Sequence, residues 1–306
     1  MAGLKQIKSK IKSVEKTRKV TKAMEAVSAA KMRKAQLTAI SGRPYAKAAL
    51  EILARVGGSS ILARNPLAAK RPVRRALYIV ITSDKGLAGS LNSAVLKLAL
   101  ADIASSGLSK DAVSIVAVGR KAHDFFSARG FVVAAYHENA DERVSRDMIR
   151  ALVDDAVAGM EQHETDTVRI AFQSFLSTFE QRPAVRELLP LSLEELARVV
   201  TEITPLRGKF SEGYPGINPP ADYAIEPSAE EVVDELVPRL VSVFVYHALL
   251  ESKASEHSAR MVAMKSASDK AKELAKALTL DFNKARQAVI TREVSEITGG
   301  IEAMGS

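Results

Sequence analysis

The sequence predicts an α/β domain inserted between the N- and C-terminal helices, which pair as an antiparallel two-helix coiled coil. Three observations carry this expectation. Apolar residues at a 3-4-3 spacing open the chain, short β-branched runs alternate with helical stretches in its middle, and a 3.5-residue repeat holds through residues 236–296. With 306 residues, 47% hydrophobic and 26% charged, the chain is long enough for a real core and falls within the range of soluble globular proteins.

Residues 1–60 form the first segment, in which residues 3 to about 55 read as one helix. Leu4, Ile7, Ile11 and Val14 set its stripe, which Val20, Met24, Val27 and Ala30 are expected to extend. Pro is absent until Pro44, and Gly57, Gly58, Ser59 and Ser60 then break the pattern. Pro66 and Pro72 mark a linker.

From Arg74 the period changes. Ala76 to Thr82 (ALYIVIT) is a short apolar run with the character of a buried parallel strand, and Val113–Val118, Phe131–Tyr136 and Val168–Phe175 repeat it. Helical stretches lie between them at Leu91–Ser105, Arg120–Arg129 and Val144–Gln162. This βαβ alternation predicts a Rossmann-like domain over residues 74–191, with a largely parallel sheet. Gln181–Leu191 adds an expected edge strand, where Pro183 and Pro190 are tolerated.

Residues 192–227 hold eight Pro or Gly after a brief helical stretch and read as a loop or foot region. Ser228 then fits a helix N-cap, with Glu230, Glu231 and Asp234 placed where the helix dipole favours acids. Residues 228–306 are the long C-terminal helix. Alternating steps of four and three from Leu236 pass through His247, Ala254, His257, Met264, Ala271, Leu278, Phe282 and Val289 to Glu296, and thirteen of these eighteen positions are apolar. A repeat held this long, with no Gly and only Pro238 near its start, specifies a coiled-coil helix. Ser228 to Thr298 spans about 105 Å at 1.5 Å per residue, which exceeds any core a domain of this size can offer. Its end is therefore expected to project beyond the shorter N-terminal partner.

The net charge of +8 is concentrated at one end. Residues 1–47 hold thirteen Lys or Arg against Glu15 and Glu25, so the remainder is mildly acidic and an anionic partner is expected for the first helix. Cys is absent, which excludes disulfides, thiolate metal sites and a Cys nucleophile. No apolar stretch follows the early lysines as in a secretion signal, and the longest membrane-span candidate, Leu240–Leu250, is about half the ~20 residues required.

Few residues have catalytic potential. SDKGLAGS after the first strand invites a phosphate-loop reading, because glycines at a strand-to-helix turn free N–H groups for an anion. Gly86 and Gly89 give only GxxG, however, and a structural turn capped by Ser90 or Asn92 is the favoured reading. Asp84 and Lys85 are then turn and contact residues. The five histidines, His123, His137, His163, His247 and His257, show no helical zinc spacing, and the last two fall on the seam. A basic coiled-coil nucleic-acid binder and a nucleotide-binding α/β enzyme are the alternative functions. Against the first, no aromatic precedes Tyr45 in the basic segment.

Four separated motifs resemble one family. They are IKSVEKTRKVTKAMEAVSAAKMRK at Ile11–Lys34, SDKGLAGSLN at Ser83–Asn92, ASEHSARMVAMK at Ala254–Lys265 and NKARQAVITREVSEI at Asn283–Ile297. Their content and order are similar to the gamma subunit of bacterial F-type ATP synthases across essentially the whole chain. Ala88 stands where many members have Cys, Gly299-Gly300 where Gly-Ala is usual, and residues 195–220 are longer than usual.

The resemblance implies a non-catalytic central rotor shaft that transmits proton-driven c-ring rotation to the catalytic beta subunits for ATP synthesis. It implies as partners the alpha and beta subunits, epsilon and the c-ring, with no cofactor, metal or nucleic acid. The chain would sit on the cytoplasmic face of the bacterial inner membrane, peripheral and held there through the complex. By motif, Lys22 and Met24 are expected to pass an acidic beta-subunit loop. Arg286 and Gln287 are expected to meet a beta-subunit catch loop, with Glu256 and Arg260 as a further rotor–stator contact and Thr291, Glu293 and Glu296 on the supporting helix. Tyr223 and Glu226 match the foot near the c-ring.

Overall fold

The computed structural model describes residues 2–41, 48, 51–52, 59–140, 144–192, 226 and 228–304. In chain order the elements are α1 (Ala2–Ser41), α2 (Ser59–Arg64), β1 (Ala76–Ile81), α3 (Leu91–Ser105), β2 (Val113–Val118), α4 (Arg120–Ser127), β3 (Val132–His137), α5 (Arg146–Glu161), β4 (Thr167–Ser177), β5 (Glu180–Leu189) and α6 (Ala229–Met304). The chain divides into two compact units, Met1–Ser28 with Arg260–Ser306, and Ala29–Ala259.

The first unit is the helix pair. α1 runs toward the unit boundary at Ser28 and α6 runs away from it at Arg260, so the two helices are antiparallel. On α1 the covered line is Leu4, Ile7, Ile11, Val14, Arg18, Thr21 and Ser28, an unbroken 3-4 progression except for the step across Met24 and Glu25, both half-buried. The expected continuation through Val20, Val27 and Ala30 is incorrect. Val20 and Val27 are 51% and 53% exposed. Stepping by three and four from Val14 lands on Arg18 and Thr21, and the valines sit one position before Thr21 and Ser28, about 100° round the helix, on the outer surface. Thr21 tolerates burial because its hydroxyl donates back to the carbonyls of Thr17 and Arg18, each at 3.1 Å. On α6, Met264, Ser268 and Ala271 are buried, and Met261, Ala275, Leu278, Phe282, Ala285 and Val289 are partly covered, as the repeat predicts. Arg292 and Glu296 fall on the same line but are exposed, and α6 continues through Gly299-Gly300 to Met304 instead of ending there.

The second unit is a three-layer α/β/α arrangement. Its sheet has the order β3-β2-β1-β4-β5, with β1 to β4 parallel and β5 antiparallel to β4. Alternation along β1 sends Tyr78 and Val80 into a core with Val95, Ala99 and Phe126 of α3 and α4. Leu77, Ile79 and Ile81 enter the opposite core, with Leu152 and Ala156 of α5 and with Val237, Leu240, Val241, Phe244 and Leu249 of α6. The strand is buried along its whole length, as expected of a central parallel strand. Ser59 and Ser60, expected to break the helical pattern, instead open α2, and Leu62 and Leu67 join the α6-side core. The Ser228 cap is present: its Oγ accepts from the Glu231 N–H at 3.2 Å and its hydroxyl donates to the Glu231 carboxylate at 3.0 Å. The expectations for Pro44, Gly57, Gly58, Tyr223 and residues 195–220 lie outside the described residues.

Two polar clusters fasten the layers. Tyr78, buried in the sheet, donates to Asp102 of α3 at 2.7 Å, and Arg169 of β4 donates to the same carboxylate oxygen at 2.7 Å. Burial, followed by the neighbouring Asp102 carboxylate, pushes the Tyr78 hydroxyl far above its ordinary range, so it stays a donor. Asp166, in the turn before β4, accepts the N–H groups of Arg74 at 2.8 Å and Arg75 at 2.9 Å and pairs with Arg71 at 3.4 Å. Burial pushes its carboxyl up, but these two N–H groups and then the Arg71 and Arg75 guanidinium groups outweigh that and hold it below its ordinary value of 3.8.

A depressed carboxyl stabilises the fold above its unfolded-state pKa, and that contribution is lost as pH falls through the folded value. Asp166→Asn is therefore expected to cost about 1–3 kcal/mol at pH 7. The gap from the parent chain should close below about pH 4. Urea unfolding across pH 3–7 measures this, and a gap that persists unchanged at pH 3 would refute the assignment.

Candidate functional site

The C-terminal edge of the parallel sheet is where doubly wound folds bind nucleotides, and the Gly86 turn lies there, after β1. β1 leads into Thr82, Ser83 and Asp84. The Ser83 N–H donates to Asn92 Oδ1 at 3.0 Å, Asn92 Nδ2 donates to Ser83 Oγ at 2.8 Å, and the Ser83 hydroxyl donates to the Lys85 carbonyl at 2.7 Å. Asn92 therefore ties the turn, while Ser90 sits at the N-cap position without a side-chain cap bond. Leu87 and Gly89 hold φ values of 65° and 60°, which close the loop on itself.

Asp84 occupies the place a phosphate would need. One carboxylate oxygen accepts the N–H of Arg120, the first residue of α4, at 2.6 Å, and the other accepts the N–H of Asn139 after β3 at 2.7 Å. The positive end of the α4 dipole is thus already neutralised by the chain's own carboxylate, which would repel an incoming anion. Asn139 is buried and donates through Nδ2 to the Thr82 carbonyl at 2.7 Å, and the buried Lys253 of α6 donates to the Asn139 carbonyl at 3.3 Å. Three strand ends and α6 are joined through one polar cluster. Sequence reasoning missed Gly119, Asn139 and Lys253; the available signal for Gly119 was a glycine directly between a strand and a helix.

The residues selected by motif fall into four groups. Lys22 of α1 is exposed and pairs with Glu25 one turn on at 3.1 Å, and Met24 beside it is half-buried. Arg286, Gln287, Thr291, Glu293 and Glu296 of α6 are all exposed, along with the apolar Ile290, Val294 and Ile297. Glu256 and Arg260, expected at a further rotor–stator contact, are each only 8% exposed. Their place within the densely covered part of α6 leaves little side-chain surface for another protein. Glu226 is exposed, and Tyr223 lies outside the described residues. His247 is buried on the seam and His257 is half-buried, while no group of His, Asp and Glu suited to a metal ion occurs among the described residues.

A family model described as ATP synthase matches residues 3–304. The ATP synthase gamma chain of Heliobacterium modesticaldum is 41% identical over 305 residues, covering 100% of both chains. That of Ralstonia nicotianae is 40% identical over 307 residues, covering 99% of this chain and 100% of the relative. Among solved structures, a chain of the Euglena gracilis mitochondrial ATP synthase (OSCP/F1/c-ring) superposes with a TM-score of 0.64 at 19% identity, covering 99% of this chain and 95% of that one. A chain of the Tetrahymena thermophila mitochondrial ATP synthase central stalk and c-ring gives 0.55 at 25% identity, covering 81% and 99%.

Proposed function

The chain belongs to the ATP synthase family, among the gamma chains, and from that premise we propose that it is the central rotor shaft carrying proton-driven c-ring rotation to the catalytic beta subunits. The observation that carries this reading is α6. One helix runs from the core of the α/β unit through a one-sided seam to an exposed end without interruption, which lets it pass rotation along its length. Its partners are the alpha and beta subunits of the head and the c-ring, with epsilon beside the α/β unit. No helix among the described residues is long and apolar enough to cross a membrane. On the shaft reading the chain meets the cytoplasmic face of the bacterial inner membrane through the complex, as a peripheral subunit.

The stator-facing surface comprises Lys22 and Met24 on α1 and Arg286, Gln287, Thr291, Glu293 and Glu296 on α6. Glu226 contributes to the foot, and Tyr223 joins it by motif. Exposed ion pairs are worth about 0–1 kcal/mol each, so contacts of this kind guide a turning shaft without trapping it at one angle. Glu256 and Arg260 serve within the chain.

The subunit performs no chemistry of its own. A preparation free of beta subunit is expected to hydrolyse no ATP and to show no shift of its melting temperature with added nucleotide, because Asp84 fills the anion position at α4. Co-expression should recover it in a complex with alpha, beta and epsilon. ATP turnover by the pure chain, or failure to assemble with those subunits, would defeat the reading.

A further inference from the structure

The pairing of β1 with β4 ends at Val80 and Ala171, yet β4 continues to Ser177. Beyond Ala171, β5 still pairs along one flank of β4, as far as Ser177 with Glu180. On the other flank, α6 supplies side chains where a strand would supply backbone. The Gln173 N–H donates to Ser252 Oγ at 3.1 Å, and the Gln173 carbonyl accepts from the Ser255 hydroxyl at 3.2 Å. Two residues on, the Phe175 N–H donates to the Glu251 carboxylate at 3.2 Å. Just past the strand, the Thr178 carbonyl accepts from the Ser258 hydroxyl.

A parallel strand turns the N–H and C=O of alternate residues to the same side, and Gln173 and Phe175 are such a pair. α6 thus continues the hydrogen-bond ladder that β1 leaves. Ser252, Ser255 and Ser258 are all buried, and the serines recur every three residues, so they stay near one side of the helix.

Besides these bonds, the Lys253 bond to the Asn139 carbonyl and a bond from the Gln181 side-chain amide to Ser258 Oγ, α6 meets the sheet through apolar residues such as Val241, Val245 and Leu249. Apolar contact is non-directional and sets little resistance to a helix rolling about its axis. Hydrogen bonds to a strand backbone have fixed directions and lose strength steeply when bent, so they fix both roll and axial register. On the shaft reading, on which this inference rests, torque applied to the α/β unit has to enter α6 without slip. We infer that Glu251, Ser252, Ser255 and Ser258 form a torsional clamp that locks α6 to β4. They are positioning residues for rotation and touch no nucleotide.

The test uses the assembled complex with its head immobilised. Because the chain has no Cys, Ser127→Cys, on the exposed end of α4, gives a single attachment point for a probe on the α/β unit. The readout is the angular variance of the probe within each dwell. Ser252→Ala with Ser255→Ala removes two of the four side chains that hold the strand, and springs in parallel add, so the variance contributed by this joint should rise about twofold. Val245→Ala, which loosens the same face of α6 while keeping every clamp bond, should lower the melting temperature and leave the variance at the parental value.

Parental variance in the double variant overturns the clamp, and so does equal broadening in Val245→Ala. If the double variant does not assemble, Ser252→Ala alone is read by the same criterion. A parental complex whose probe never turns counts against the shaft reading instead. In that case amide exchange in the full chain decides the clamp: faster exchange at Gln173 and Phe175 in the double variant supports it, and unchanged exchange overturns it.

Discussion

Gly119→Ala is expected to lower the stability of the chain by about 3 kcal/mol or more, the largest single-residue effect in the α/β unit. Gly119 follows β2 with φ at 92°, a conformation side chains rarely adopt. A Cβ there would lie 2.2 Å from the Thr82 carbonyl oxygen and 2.9 Å from Thr82 Oγ1. Thr82 has no room to yield. Its N–H donates to the Val118 carbonyl at 2.7 Å and its Oγ1 accepts from the Ala122 N–H at 2.9 Å, while the Gly119 N–H donates to the His137 carbonyl at 2.8 Å. Relieving the clash therefore pulls β1 away from β2 and disturbs the start of α4. Gly86→Ala is the matched control, since nothing lies within 4 Å of its would-be Cβ. It should change stability by less than about 0.5 kcal/mol, as exposed substitutions commonly do. Urea unfolding of the two variants separates the cases, and equal midpoints would mean that the backbone around Thr82 shifts at little cost.

Truncation after Val289 is expected to separate folding from function. Ile290 to Thr298 are exposed throughout, so removing everything beyond Val289 takes away no covered seam position among the described residues. The helix pair keeps Leu4 to Ser28 against Met261 to Val289, and the melting temperature of the isolated subunit should move by no more than a few degrees. In the complex the same cut removes Thr291, Glu293 and Glu296 along with the apolar Ile290, Val294 and Ile297. Torque or assembly yield should fall several-fold, as expected when a contact surface is lost and its partner is left uncovered. Both quantities are measurable on one preparation. A truncated subunit that unfolds, in a complex that still turns with full torque, would place these residues in the subunit's own core.

Much of this architecture is legible in the sequence because it depends on period. The predicted bounds of β2 and α3 match the structure, and the 3-4 line on α6 holds from Leu240 to Val289. The failures share a cause, which is that hydropathy does not record what a residue faces. On α1, Val20 and Val27 were read into the seam although Thr21 and Ser28 occupy it, because a Thr that bonds its own helix backbone can be buried where a Val is not needed. On α6, Ser252, Ser255 and Ser258 look like interruptions of an apolar helix. They acquire meaning only from the unpaired flank of β4, some 75 to 85 residues away in sequence by the spans those bonds cover. Glu256 and Arg260 are assigned to a subunit contact by motif, yet each is only 8% exposed, which their charge does not signal.

Asp84 has an entropic consequence for how the sheet comes together. Its two oxygens close loops of 36 residues to Arg120 and 55 residues to Asn139, and the second loop contains the first. Once the inner loop is shut, the outer one has roughly 19 free residues left to close, which by the logarithmic law lowers its cost by about 0.9 kcal/mol relative to closing all 55 at once. Because β1, β2 and β3 lie side by side in the order they occur in the chain, each strand's arrival shortens the search for the next, and this half of the sheet assembles at the entropic cost of a series of short crossovers.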